Sequence, residues 1–352
     1  MHEDEEGFLY PIVESEKCVD CHFCEKVCPV LNQDPRCTPI ECFAAMNQDE
    51  MIRTKSSSGG VFLPLAQAII NDGGIVYGAC YNNQWEVVHS CATTNEELID
   101  FQGSKYVQSN IGLSYTEVES FLVDGRKVLF SGTPCQVAGL KKFLRKGYEN
   151  LITIDIVCHG VPSPKIWREY MSHLPMENIS AICMKDKTSG WRGYSFSLFD
   201  NKGKKIFCER ASDNKYMMAF FQNLTLRPSC FNCPAKSGKS GSDITLADFW
   251  GIEKINPSMD DNKGTSLVCA NTDKGLFLLM STNIPLESVD YKSSVQYNSC
   301  FFQSTAEPKS RVQFWNDYRK MGIQTLLELR PQKGKIIKRI INNSSLKINI
   351  SG

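Results

Sequence analysis

Lys127-Val128-Leu129-Phe130-Ser131-Gly132-Thr133-Pro134-Cys135, continuing through Leu144 and then Leu151-Ile152-Thr153-Ile154-Asp155-Ile156-Val157-Cys158-His159-Gly160, is the stretch that decides the fold. Its two apolar runs are too short for helices and read as buried strands. Between them Val137, Leu140, Phe143 and Leu144 recur at helical spacing. Pro134 and Pro164 stand where helices open. Strand, helix, strand, helix at this spacing predicts parallel strands in an α/β sheet. Cys135 and Cys158 then fall just past the carboxyl ends of the two strands, the edge where ligand sites of open α/β sheets gather. If the strands are neighbours, at ~4.8 Å spacing, the thiols emerge side by side. Helix N-termini after each turn are expected to lower the thiol pKa values.

Outward from this unit, Ser56-Ser57-Ser58-Gly59-Gly60 precedes an apolar helical run ending at Ile70, and Ile75–Tyr81 and Val87–Cys91 read as strands. Thr94 with Glu96 and Glu97 marks a helix start, and Tyr115–Val123 reads as a helix. The second half is richer in strands. Tyr194–Phe199 and Lys204–Cys208 flank a hairpin turn at Asp200–Gly203, Met217–Leu226 reads as a long apolar helix, and Asp243–Phe249 and Ser266–Asn271 as strands. The expected organisation is a cysteine-rich segment over 1–45 with little core of its own, then an α/β part over 46–175. A β-rich continuation follows over 176–322, then a basic tail over 323–352, whose stretch from Lys333 reads as a solvated terminal helix rather than a membrane anchor.

Sixteen cysteines in 352 residues require a chemical reason. The acidic N-terminus is not followed by a secretory apolar segment, so a reducing, cytoplasmic setting favours metal ligation over disulfides. Val61–Ile70 is far short of the ~20 apolar residues that span a bilayer. Equal numbers of acidic and basic residues, 39 each, argue against a nucleic-acid footprint.

Cys18, Cys21, Cys24 and Cys28 carry the Cys-x2-Cys-x2-Cys-x3-Cys-Pro spacing of a bacterial ferredoxin cluster motif, in a single copy. In two-cluster modules the fourth cysteine serves the other cluster, so Cys37 or Cys42 could complete this one. Cys230-x2-Cys233-Pro234 adds two thiols to Cys135 and Cys158, making four ligands for a 4Fe-4S cluster. A zinc site, or an unrelated assortment of buried thiols, is the alternative. Cys80, Cys91, Cys183, Cys208, Cys269 and Cys300 lie in apolar stretches and read mostly as small buried hydrophobes. Flavin is the natural companion of a cluster, because it converts two-electron to one-electron transfer. Ser57-Ser58-Gly59-Gly60, with Lys55 nearby, and Gly103-Ser104-Lys105-Tyr106 are turns that could hold its pyrophosphate. Thr133, on the turn before Cys135, is a further cofactor candidate. His159 could shuttle protons.

These residues together resemble the beta-subunit family of coenzyme F420 hydrogenases and dehydrogenases. The resemblance runs through Lys55–Phe62 (KSSSGGVF), Gly103–Ser109 (GSKYVQS), Ser131–Leu140 (SGTPCQVAGL) and Asp155–Pro164 (DIVCHGVPSP). It continues through Leu226–Lys236 (LRPSCFNCPAK) and Ser242–Gly251 (SDITLADFWG). It implies an FAD-binding domain with a 4Fe-4S cluster beside the flavin and ferredoxin-type clusters feeding it. It favours Cys135, Cys158, Cys230 and Cys233 as ligands, makes the Ser57–Gly60 and Ser104–Lys105 turns FAD contacts, and suggests Lys236 as a stabiliser of anionic flavin. Members with such a front end resemble two-run ferredoxin modules, whereas this chain opens at Met1 inside the connecting segment. One or two clusters are therefore expected, with a redox partner or ferredoxin, and a partner chain completing the N-terminal cluster. The expected function is an FAD- and iron–sulfur-dependent oxidoreductase acting on a hydride acceptor such as coenzyme F420. The alternative is a flavin-free electron-transfer or docking subunit.

Overall fold

A computed structural model describes residues 1–175 and 178–331. Thirteen strands fall among them. β1 (His2–Glu3) and β2 (Leu9–Tyr10) form a small hairpin; β3 (Glu41–Ala45), β4 (Ile75–Tyr81), β5 (Val87–Ala92), β6 (Val128–Gly132) and β7 (Leu151–Ile156) follow. Then come β8 (Ile179–Asp186), β9 (Ser195–Asp200), β10 (Lys205–Arg210), β11 (Ile244–Asp248), β12 (Ser266–Ala270) and β13 (Leu286–Ser288). Eight of them make one sheet in the order β13-β3-β12-β11-β7-β6-β4-β5. Its centre, β11-β7-β6-β4, is parallel, and both margins are antiparallel. The fold is mixed α/β.

Alternation along the strands explains the layering. Val76, Leu129, Ile152 and Ile154 face the Phe62–Asn71 and Asp273–Met280 helices, while Ile75, Tyr77, Val128 and Phe130 face the Ser114–Val123 and Pro134–Leu144 helices. Both faces are covered, which is why the central strands read as continuous apolar runs. The segment between β7 and β11 leaves the sheet to build a second core around Trp167, Tyr170, Phe196 and Tyr216, capped by the three-stranded β10-β9-β8 sheet.

Several expectations are corrected here. Glu41–Ala45 is not part of a core-poor leader: β3 lies inside the large sheet, with Cys42, Phe43, Ala44 and Ala45 buried. The Met217–Leu226 helix is shorter, Lys215–Phe221, because Asn223 turns into the left-handed region at φ 62° and the chain then runs extended to bridge Pro162 through Leu226. The tail boundary at 323 also moves. Leu326 is fully buried, and Leu329 O accepts from Lys215 Nζ at 2.7 Å, so this end is docked. The basic residues from Lys333 lie outside the described residues. Residues 1–11 are tied down as well. Phe8 is buried, Glu6 pairs with Arg311, and Arg227 stacks 4.1 Å from the Tyr10 ring centroid.

Candidate iron–sulfur and flavin site

β6 and β7 are parallel neighbours in which Gly132 pairs with Asp155, so Cys135 and Cys158 lie equally far beyond the same sheet edge. The return path brings the other two cysteines. Ser163 N donates to Thr225 O at 2.9 Å and Arg227 N to Val161 O at 3.0 Å, laying Thr225–Arg227 against Val161–Ser163. The loop that follows places Cys230 Sγ 3.5 Å from Val161 N. Gly160 is needed at this crossing, since a Cβ there would lie 2.8 Å from Leu226 Cδ1. Cys233 N is anchored at 2.9 Å by Ser304 Oγ.

The four thiols share one electrostatic neighbourhood. Burial pushes the Cys158 thiol up strongly, and Cys230, Cys135 and Cys233 each push it further. Cys230 is pushed up to about 11, first by burial and then by Cys135 and Cys233. Cys135 is raised by burial, with Cys233 adding to the rise. Cys135 is nonetheless exposed at the surface, although the protein around it is dense enough to raise its pKa. The helix N-terminus at Pro134 does not offset this desolvation, and Cys158 is separated from the next helix by five residues (159–163), so the expected lowering is not found. Among the described residues no three His, Cys, Asp or Glu side chains converge as a single ion requires.

Three polar groups line this neighbourhood. Thr133 Oγ1 lies 3.2 Å from Cys135 Sγ and is held by Gln136, which reaches Ser109 at 2.8 Å and, through it, His89 at 2.9 Å. Lys236 Nζ donates to Cys158 O and to Cys300 O (2.8 Å), which holds its ammonium beside the cysteines. His159 Nε2 lies 2.7 Å from Asn223 Oδ1, and its Nδ1 3.5 Å from Cys300 Sγ. Burial opposes charge on both members of this pair, yet the contact wins, raising His159 and lowering Cys300. Cys300 is thus half-buried at the site and not a filler of the core. Cys91 and Cys208 are exposed and Cys183 half-buried, again unlike the expectation; Cys80 and Cys269 are buried as expected.

The two glycine-serine turns meet each other: Ser104 Oγ donates to Ser57 Oγ at 2.7 Å. Ser58 and Gly59 are turned into the fold, the hydroxyl giving to Thr265 O and the N–H to Ser266 Oγ. A Cβ on Gly59 would stand 2.3 Å from Ala45 O. Gly60, at φ 81°, needs glycine for its backbone. Lys55 is exposed at the end of the Glu50–Lys55 helix. Two buried residues, not anticipated, hold this turn. Lys187 Nζ donates to the carbonyls of Arg53, Ser58 and Lys263 at 2.6–2.9 Å, and Arg53 grips Asp261 with both nitrogens at 2.7 Å. Lys105 Nζ has one carbonyl partner, Gln102 O at 3.0 Å, and faces the Tyr81 ring. Burial pushes it down to about 8. Around it Tyr81 Oη and Gln102 Nε2 are buried without a hydrogen-bond partner among the described residues. Tyr106 stacks on Phe220 at 4.9 Å, and Phe220 meets the His159 ring edge-on at 5.4 Å, so packed rings link the surroundings of Lys105 to those of the cysteines.

The N-terminal motif is different. Cys18, Cys21 and Cys24 are exposed and Cys28 half-buried, around a single turn at Phe23–Lys26. Cys42 is buried opposite Cys269 in the β3–β12 pairing, so it is unavailable to complete that motif. Cys37 N bonds Ser237 O at 3.3 Å, which ties it to the loop after Lys236.

Residues 125–287 match the family model for the C-terminal part of the coenzyme F420 hydrogenase/dehydrogenase beta subunit, and residues 42–113 match the one for its N-terminal part. The chain belongs to the coenzyme F420 hydrogenase/dehydrogenase beta subunit family. This supports a redox role within an oxidoreductase assembly. No curated protein matches it. A solved structure, the F420-reducing [NiFe] hydrogenase complex from Methanosarcina barkeri, is similar at 17% identity and a TM-score of 0.48. The match covers 84% of this chain and 93% of that one. Among the described residues no helix is long and apolar enough to cross a membrane.

Proposed function

We propose that this chain is an electron-transfer oxidoreductase subunit in which Cys135, Cys158, Cys230 and Cys233 hold a 4Fe-4S cluster. FAD lies in the adjoining recess against Ser57, Gly60, Ser104, Lys105 and Thr133. The observation that carries this reading is the topology that brings three distant segments to one sheet edge: β6 and β7 place Cys135 and Cys158 equally far beyond it, and the Thr225–Arg227 return leads the Cys230–Cys233 loop there, with Cys230 Sγ 3.5 Å from Val161 N. The donor set suits the group: four cysteine thiolates are the ligands a 4Fe-4S cluster takes. Tyr81 Oη and Gln102 Nε2 supply the unused hydrogen-bonding capacity that a buried polar ligand would fill. Flavin, when bound, links hydride chemistry to the single electrons an iron–sulfur centre carries.

The chain's own residues divide the remaining work. Lys105 can stay neutral or accept a proton near physiological pH, answering the charge of whatever occupies the recess. Lys236 fixes the Cys158 and Cys300 backbones and offsets negative charge at the thiols. His159, oriented by Asn223, holds a proton beside Cys300. Cys18, Cys21 and Cys24, with Cys28 or Cys37 as the fourth ligand, hold a second cluster at the surface, where a redox protein or the rest of an assembly delivers electrons. The family name adds a hydride acceptor such as coenzyme F420 as the organic substrate. One observation favours the flavin-free alternative: the Ser58 hydroxyl and Gly59 N–H are already engaged within the fold.

An absorption spectrum of anaerobically purified chain separates the two. Flavin bands above a broad iron–sulfur shoulder support the proposal, a shoulder alone supports the flavin-free alternative, and a colourless, iron-free protein removes both.

A further inference from the structure

We propose that a groove at the opposite end of the sheet, between the N-terminal cysteine segment and the C-terminus of the Pro134–Leu144 helix, binds a polyphosphate anion. The groove has a volume of about 660 Å³, within the range of small-molecule sites, and is formed by Phe23 and Val27 on one side and Leu144–Tyr148 with Leu151 on the other. Six cations line it, against two carboxylates. Both carboxylates are already engaged. Asp34 pairs with Lys142 at 2.6 Å, and the oxygens of Asp243 accept from Thr153 N, Thr153 Oγ1 and Thr272 Oγ1.

The remaining cations are poorly compensated. Lys26 and Lys146 have no carboxylate partner among the described residues; Lys146 rests on the Tyr148 ring. Lys141 donates to Gly241 O, and Lys274 to Tyr148 O and Leu151 O. Arg145 alone reaches an acid, Glu119, at 3.4 Å. In a chain with equal acidic and basic totals this excess is local. Desolvation pushes Lys141 below the usual lysine range, against the pull of Asp243, and Lys274 adds to the fall. Five lysines and one arginine against two carboxylates call for an occupant of several negative charges, and lysine binds phosphate oxygens as a point charge without needing a fixed fork. The two walls come from different parts of the chain, so an occupant would clamp the N-terminal cysteine segment onto the α/β body. This inference does not depend on the cluster or flavin assignments.

The test is calorimetric titration of inorganic pyrophosphate into the full, cofactor-loaded chain, with AMP and ATP as further arms. Saturable pyrophosphate binding that weakens steeply with salt is expected, with AMP weaker. ATP binding as tightly as pyrophosphate would name the polyphosphate alone as the recognised element. Tighter ATP binding would add the aromatic rim, and either result supports the site. The double variant Lys26→Gln/Lys146→Gln removes two exposed charges that fix no backbone, and should weaken binding by about tenfold or more. Lys105→Met, in the flavin recess, should leave it unchanged. Pyrophosphate should also slow tryptic cleavage after Lys26 and Arg36. Absence of saturable binding, equal binding by the double variant, or loss of binding in Lys105→Met would overturn the proposal.

Discussion

The two cysteine groups of this chain are opposites in construction. Cys18, Cys21, Cys24 and Cys28 occupy eleven consecutive positions on an exposed segment whose only helix is one turn long. Cys135, Cys158, Cys230 and Cys233 span nearly a hundred positions and meet because β6 and β7 are neighbours and the insertion after β7 folds back on itself. A site written in local spacing needs little from the fold and gives little to it. A site written in topology is inseparable from the core that makes it.

The largest expected difference follows directly. Cys158→Ser and Cys233→Ser should strip the interior iron and destabilise the whole body by several kcal/mol, because metal binding to a folded site is folding free energy. Cys21→Ser should lose only N-terminal iron and leave the melting temperature of the body in place. Iron analysis with thermal unfolding checks both, and equal melting shifts for the two sites would break the contrast.

Acid should act on the interior side as well. His89 is buried, stacked 5.2 Å from the Phe130 ring, and linked through Ser109 and Gln136 to Thr133. Desolvation pushes it down to about 4, from an ordinary 6.5. Between those values the unfolded chain binds the extra proton. Stability is therefore full above pH 6.5 and falls as pH drops to 4, by about 3 kcal/mol. Denaturant titrations across this window should show the loss in wild type, and His89→Gln should flatten the slope.

A smaller effect is expected at the serine-glycine turn. Lys187→Met leaves three carbonyls, two of them buried, without their ammonium and should cost about 2 kcal/mol. Flavin retention should fall in parallel if the turn belongs to the recess, and unchanged flavin content would detach the two. Smallest of all, Lys17→Gln removes a fully solvated pair with Glu14 beside the N-terminal motif and should leave unfolding unchanged.

The same contrast explains what is legible in the sequence. The N-terminal motif is readable by spacing alone, and the positions of Cys135 and Cys158 by strand periodicity, because both signals are local. β3 gives no such signal, because Glu41-Cys42-Phe43-Ala44-Ala45 is short, opens with an acid and adjoins a proline-rich leader; only its burial between β12 and β13 makes it a strand. The helix ending at Phe221 reads as longer than it is, because Leu224 and Leu226 continue its apolar character past the left-handed turn at Asn223. Cys300, Asn223 and Lys187 carry no signal at all. Their partners lie 141, 64 and at least 76 positions away, distances that no spacing rule covers.

The central claim is that the dispersed thiols form a cluster site of their own. It is tested most directly by replacing Cys18, Cys21, Cys24 and Cys28 together with alanine and measuring iron and the iron–sulfur absorption of the anaerobically purified, folded chain. About four iron atoms per chain should remain, with the absorption shoulder retained. A folded, iron-free variant would contradict the account.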